Sequence, residues 1–263
     1  MLTRLAEHRA ALRTLVLSLL PLVLVAVIYR TIGLASAASL TATRVHVCDL
    51  RRLEMRWAGI SLDGRPATIH DWLQRHSSIA LDVLCSLPYG TFILVCIAFV
   101  AFASFRDASV ARQFGWGFLV LNVLGFTTYC LYPAAPPWYF HAHGCAVDVA
   151  AHASEGPNLA RVDGLLGFPY FGAMYAQSRI VFGAMPSLHC AYAVLIALDG
   201  WALFGRAWRT GAVLFAAWMA FSAVYLDHHW VLDAVAGGAL SVAVFLLMRW
   251  VSYRLKHGVS SRL

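Results

Sequence analysis

Charge is scarce in this sequence: 13% of its 263 residues are Asp, Glu, Lys or Arg, against 60% hydrophobic residues. With a mean hydropathy of +0.69 it has too little polar surface to coat a soluble domain. No internal repeat or low-complexity tract is evident. The formal net charge of +7 comes mostly from arginine and forms no long basic block. A nucleic-acid partner is therefore unsupported, and retention by anionic lipid headgroups is the simpler account. None of the six cysteines (Cys48, Cys85, Cys96, Cys130, Cys145, Cys190) has the close spacing of a zinc site or redox motif. Most read as small apolar packing residues. Only Cys48 and Cys145 fall in extramembrane loops, where one disulfide on an oxidising face is open to them. No metal or cofactor is expected, since His141 and His143 read as solvated loop residues rather than ligands.

What the chain has in abundance is apolar length. Stretches able to cross a hydrocarbon layer of ~30 Å, which takes about 20 helical residues, recur along it. Candidate spans lie near 14–35, 83–105, 113–132, 186–204, 211–227 and 230–250. The run Leu15–Ile28 follows Arg4, Arg9 and Arg13 as in a signal peptide, but no small-residue cleavage site clearly follows, so it is read as a retained first span. The expected fold is an all-α polytopic membrane bundle of about six transmembrane helices, one integral domain over 1–263. Loops 36–82 and 133–185 are expected to cover its outer face.

An inner N-terminus also places Arg106 with Arg112, Arg206 with Arg209, and Arg249 with Arg254 and Lys256 inside, which obeys the positive-inside rule. Loop 36–82 is the exception, with six arginines outside, balanced in part by Asp49, Glu54, Asp63 and Asp71. In it Leu50, Leu53, Trp57 and Ile60 recur at helical spacing, which fits either a helix in the headgroup region or a surface helix packed on the bundle. A second helix is expected from Thr68, where Thr68 and Asp71 have capping-box spacing. Neither segment carries a catalytic signature. Pro136, Pro137 and Trp138 read as a rigid span exit with an interfacial aromatic anchor.

The topology brings two polar motifs to the same outer face. PSLH at 186–189 opens the fourth span, and HHWVLD at 228–233 joins the fifth to the sixth. His229 and Asp233 are four apart, so on a helix the carboxylate could hold one imidazole nitrogen and leave the other free to attack. A satisfied polar pair at a span boundary is the plain alternative. Ionisable groups within spans cost about 2.5–3.5 kcal/mol each, however, so a cluster of His228, His229 and Asp233 calls for a use. Behind Pro186, Ser187 and His189 stand at a helix N-terminus, whose free N–H groups suit phosphate.

Residues 129–233 resemble the type 2 phosphatidic acid phosphatases, and more particularly their inositol phosphorylceramide synthase branch. The resemblance rests on YPAAPPWY (132–139), LARVDGLLG (159–167), VFGAMPSLH (181–189) and YLDHHWVLDAVAG (225–237), in that order. It implies His229 as nucleophile, Asp233 as its partner and His189 as acid and then base, with no metal. It also implies transfer of phosphoinositol from phosphatidylinositol to a ceramide-like hydroxyl. Two family features are missing: no Lys-x6-Arg-Pro motif precedes PSLH, and Ala223 replaces the Arg of the third motif. A phosphodiester carries one negative charge and needs fewer cations than a monoester, so these losses favour headgroup transfer over phosphate removal.

Arg161 and Arg179 remain as candidate phosphate ligands, with Ser187 and His228 also expected to touch substrate. The bland reading of each arginine is a headgroup contact or a loop salt bridge, for instance with Asp163. The competing functions are a lipid phosphate or polyprenyl diphosphate phosphatase and a non-catalytic membrane transporter or assembly subunit. An alanine- and arginine-rich composition points to a bacterial inner membrane with the active face in the periplasm.

Overall fold

The computed structural model describes residues 2–151, 157–178 and 180–258. The chain begins with α1 (Leu2–Ser39), α2 (Cys48–Ala58), strands β1 (Ile60–Leu62) and β2 (Arg65–Ala67), and α3 (Ile69–Arg75). It continues through α4 (Ile79–Arg106), α5 (Ala108–Leu131), α6 (Pro137–His143), α7 (Pro157–Leu166) and α8 (Tyr170–Ala176). The last elements are α9 (Leu188–Gly200), α10 (Arg206–Tyr225) and α11 (Val231–Gly258).

Among the described residues five stretches are long and apolar enough to cross a membrane: Leu12–Ile32, Ile79–Arg106, Ala108–Leu131, Arg206–Tyr225 and Val231–Leu255. The sixth expected span, α9, has only 13 residues, about 20 Å of helix against a hydrocarbon layer of ~30 Å. It can be short because it is enclosed, packed against α4, α5, α10 and α11 with most of its side chains buried. Its N-terminal end is enclosed by protein, with Ser187 and Leu188 buried, so the free backbone groups there find protein partners. Its helix starts two residues later than the sequence suggests. Ser187 is the N-cap, accepting from the Cys190 N–H, and Pro186 stands outside the helix.

Small residues let the spans approach closely. α1 packs on α5 at Gly115, where an added Cβ would lie 2.4 Å from the Ser18 carbonyl oxygen. α11 approaches the α9 N-terminus at Gly237, where a Cβ would lie 2.1 Å from the Ser187 carbonyl oxygen. The Ser187 N–H also donates to the Asp233 carbonyl at 2.9 Å. Together these contacts fix PSLH against the start of α11.

The loop 36–82 is more structured than an interfacial helix alone. In α2 the apolar stripe is divided: Leu50 and Glu54 face inward, while Leu53 and Trp57 are 51% and 65% exposed and Ile60 belongs to β1. β1 and β2 form an antiparallel hairpin around Asp63 and Gly64, both with positive φ (53° and 75°), as a two-residue turn requires. α3 has the anticipated capping box, with the Thr68 N–H on Asp71 Oδ2 at 2.7 Å. Cys48 and Cys145 form a disulfide that ties α2 to the segment after α6. Trp138 is not an interfacial anchor; it is buried with Val47, Ala135, Tyr139 and Phe182.

Three extended segments, at His46, Ala134 and Gly183, then lie side by side. His46 pairs with Ala134, and Ala134 with Gly183, both in parallel. The bonds are His46 N–H to Pro133 O and Ala135 N–H to His46 O, both 2.8 Å, then Ala134 N–H to Phe182 O at 2.8 Å and Ala184 N–H to Ala134 O at 3.1 Å. This ladder sets the depth of Ala184.

Two outcomes follow from this architecture. Gly237→Ala should force α11 away from the Ser187 backbone and cost about 1–3 kcal/mol or more, read as a lower melting temperature of the purified protein; an unchanged melting temperature would contradict the close approach. In sealed vesicles a membrane-impermeant thiol reagent should reach cysteines placed at Ala150 and at Arg206 from opposite sides only.

Candidate active site

The site forms where α9 begins and where α10 turns into α11. α10 ends at Tyr225, and the next residues fold back on it: the N–H groups of His228 and His229 both reach the Ala223 carbonyl at 3.1 Å. α11 starts at Val231, so His229 lies just ahead of that helix. His189 is in the first turn of α9, forty positions earlier in sequence. Its Nδ1 is 3.3 Å from His229 Nε2.

The other nitrogen of His229 decides the tautomer. Nδ1 lies 2.8 Å from the carbonyl oxygen of Ala184, which can only accept, so Nδ1 carries the proton and Nε2 keeps a lone pair. That bond is where the structure departs from the sequence expectation. Asp233 Oδ2 is 3.8 Å from His229 Nδ1, too far for a hydrogen bond, and it accepts instead from the Trp230 N–H at 2.8 Å. The physical reason is that His229 precedes α11, so the helical i, i+4 geometry assumed for the pair does not apply. Asp233 still places a carboxylate beside the imidazole, fully buried, and closes the N-terminus of α11.

Aromatic rings wall the two histidines. Tyr89 of α4 stacks on His189 with ring centres 4.5 Å apart, and Phe92 meets its edge at 4.7 Å. His228 is buried against Tyr175 and Tyr89, at 5.1 and 5.2 Å. Ser187 is buried as the α9 cap. Arg161 is committed elsewhere: its Nε and Nη2 bind both oxygens of Asp82 at 2.7 and 2.8 Å, and Tyr225 donates to the same carboxylate. Its partner is therefore Asp82 rather than Asp163, which accepts from the Phe171 and Gly172 N–H groups. Arg179 lies outside the described residues. Among the described residues no cation is hydrogen-bonded to His189, His228 or His229.

Sequence reasoning missed a second polar system on the loop side of the same turn. Asp227, one residue before His228, is fully buried and has a positive φ of 65°. His70 of α3 approaches its Oδ1 at 3.1 Å and His141 of α6 its Oδ2 at 2.5 Å. His141 is exposed, as expected, but it is also tethered: its second nitrogen is 3.1 Å from Asp71, which also binds Arg51 at 2.9 Å. On the other side His70 stands 3.3 Å from Glu54 Oε1, without hydrogen-bond alignment, and Glu54 Oε2 accepts from the Val231 N–H at 2.8 Å. Glu54 lies four residues after Leu50 on the same buried face of α2, and no sequence signal singles it out.

A protein-family model described as the PAP2 superfamily matches residues 49–247. Inositol phosphorylceramide synthase of Candida albicans is 37% identical over 172 residues, covering 63% of this chain and 35% of that protein. Inositol phosphorylceramide synthase catalytic subunit AUR1 of Saccharomyces cerevisiae is 33% identical over 184 residues, covering 67% of this chain and 44% of its own length. Phosphoinositol dihydroceramide synthase of Bacteroides thetaiotaomicron is 28% identical over 210 residues, 78% of this chain and 68% of that protein. The chain thus spans less than half the length of these two fungal relatives. No solved structure gives a significant match. A membrane bundle that presents His189 and His229 on one face, within a match extending over more than half its length, belongs to the PAP2 superfamily.

Proposed function

We propose that the protein transfers a phosphoinositol headgroup from phosphatidylinositol to the hydroxyl of a ceramide-like lipid, releasing diacylglycerol. The observation that carries this is the His189–His229 pair, 3.3 Å apart with the His229 lone pair on Nε2. The similarity to inositol phosphorylceramide synthases from two kingdoms supports the choice of substrates.

In the first step His229 Nε2 attacks the phosphodiester phosphorus and the bond to the glycerol oxygen breaks. His189 gives its proton to the departing diacylglycerol oxygen. In the second, His189 takes the proton of the acceptor hydroxyl, whose oxygen attacks phosphorus as the phosphorus–nitrogen bond breaks. The Ala184 carbonyl holds the Nδ1 proton throughout and stabilises the positive charge that forms on the ring, with Asp233 adding a carboxylate 3.8 Å away. Buried Ser187 and His228 border the same space, and Arg179 is kept as a candidate phosphate ligand. Arg161 has its charge matched by Asp82, which weakens its claim to phosphate. With Ala223 in place of the third-motif arginine, the site suits a singly charged phosphodiester.

The active face is proposed to be the periplasmic side of a bacterial inner membrane. The Cys48–Cys145 disulfide lies on that face, and Arg106, Arg112, Arg206, Arg209, Arg249 and Arg254 cluster towards the other.

His229→Ala should lower turnover on the order of a thousandfold or more while the protein still folds. Purified protein given phosphatidylinositol alone should release diacylglycerol slowly, or in at most about one equivalent, until a ceramide acceptor restores turnover. Rapid acceptor-independent release of phosphate from a phosphomonoester lipid, with no new phosphodiester lipid, would replace this reading with a lipid phosphatase.

A further inference from the structure

We infer that Asp227 is the positioning residue for His229, clamped in place by a charge-alternating chain from the outer loops, Glu54–His70–Asp227–His141–Asp71–Arg51. The kinetic consequence rests on the phosphotransfer reading above; the clamp itself does not.

A left-handed backbone at a residue other than glycine costs about 1–2 kcal/mol and persists only where its surroundings over-determine it. Asp227 meets that condition. Its two carboxylate oxygens take His70 and His141, its carbonyl accepts from the Trp138 N–H at 2.9 Å, and its own N–H donates to Val224 O at 3.1 Å. The far end of the turn is held as well, because Glu54 binds the Val231 N–H. His228 and His229 lie between these two anchors. The chain therefore grips the segment that presents the nucleophile from both sides. The Cys48–Cys145 disulfide joins α2, which carries Arg51 and Glu54, to the segment that follows His141.

The geometry also sets the charge state. Each imidazole faces a carboxylate with both nitrogens, His70 towards Asp227 and Glu54, His141 towards Asp227 and Asp71. Both nitrogens of His141 are hydrogen-bonded to carboxylates and must then be donors, as only an imidazolium allows. His70 gives Nδ1 to Asp227 and brings Nε2 to 3.3 Å from Glu54 Oε1, an ion-pair contact rather than a hydrogen bond. Three carboxylates (Glu54, Asp71, Asp227) are thereby balanced by Arg51 and two imidazolium rings. Burial opposes the charge on both rings, but the carboxylate bonds outweigh it and raise each to about 9. A neutral ring at either position would leave buried carboxylate charge unmatched, which is strongly unfavourable. Because these values lie above the unfolded value of about 6.5, the stabilisation is complete below that pH and is lost as pH rises through about 9. The groups facing the chain are Arg51 and Glu54 from α2, Asp71 from α3, Asp227 from the turn and Asp233 from α11.

Asp227→Asn in the full-length protein is the direct test, since Asn tolerates the left-handed backbone but removes the charge. The expected result is a kcat reduced about 100-fold, the scale of a small displacement of a reacting group, with KM nearly unchanged and the alkaline limb of the kcat profile moved to lower pH. His141→Gln, in the more accessible half of the chain, should move kcat in the same direction; Asp63→Asn, at the exposed pair with Arg75, should not. Histidine 15N NMR of the detergent-solubilised protein needs no substrate. It should find two imidazolium rings persisting to about pH 9, assigned by His70→Asn and His141→Gln and lost in Asp227→Asn. Rings that titrate near 6.5 in the wild type, or folded Asp227→Asn and His141→Gln variants with wild-type kcat and pH profile, would overturn the inference. The two rings found protonated in a protein that makes no phosphodiester lipid would leave the clamp standing and sink only the transferase reading.

Discussion

The bond from His229 Nδ1–H to the Ala184 carbonyl is the contact on which the site depends. It selects the tautomer, aims Nε2 at His189 and does so with a backbone group that neither titrates nor rotates away. Its geometry needs two things placed independently. The ladder through His46, Ala134 and Gly183 sets Ala184, and the fold-back of residues 227–230 onto Ala223 sets His229. Three connecting segments and the α10–α11 turn therefore have to be correct together before one imidazole is oriented.

The enclosed α9 has a related logic. A 13-residue helix ends short of a bilayer's thickness, so its polar N-terminus, with Ser187 and His189, lies among protein groups rather than hydrocarbon. Gly237 allows α11 to press its backbone onto Ser187, and the Asp233 carbonyl accepts the Ser187 N–H. Two segments distant in sequence share a hydrogen bond at the point where their histidines meet. Burial of polar groups is tolerable where they are bonded to one another, as Ser187, His229 and Asp233 are at this junction.

α2, α3, α6 and the α10–α11 turn give this protein a second set of ionisable groups, larger than the His189–His229 pair. Charges removed from water are stable only when matched, and an alternating row of acids and imidazoles matches them at the expense of requiring every member. Two of the arginines in loop 36–82 are matched by acids of the same loop: Arg51 ends the row at Asp71, and Arg75 pairs separately with Asp63.

Hydropathy alone located five of the six expected spans, since a long apolar run has few other solutions, while the sixth is the short, enclosed α9. Thr68 with Asp71 announced its capping box through purely local bonds. The motifs PSLH and HHWVLD announced His189 and His229 as residues to be brought together, because both fall at span ends on one face. Sequence could not assign partners across the fold. Asp233 is four residues from His229, yet helix α11 begins between them, so the proton goes to Ala184, forty-five positions away. Arg161 has Asp163 nearby in sequence but finds Asp82 in space, and Glu54, His70 and Asp227 carry no local pattern at all. Periodicity and composition determine which segments are long and apolar enough to enter a membrane, because that depends on each segment's own transfer energy. Which polar group meets which was decided by tertiary packing, because a hydrogen bond depends on the positions of two groups and only the assembled helices and loops supply both.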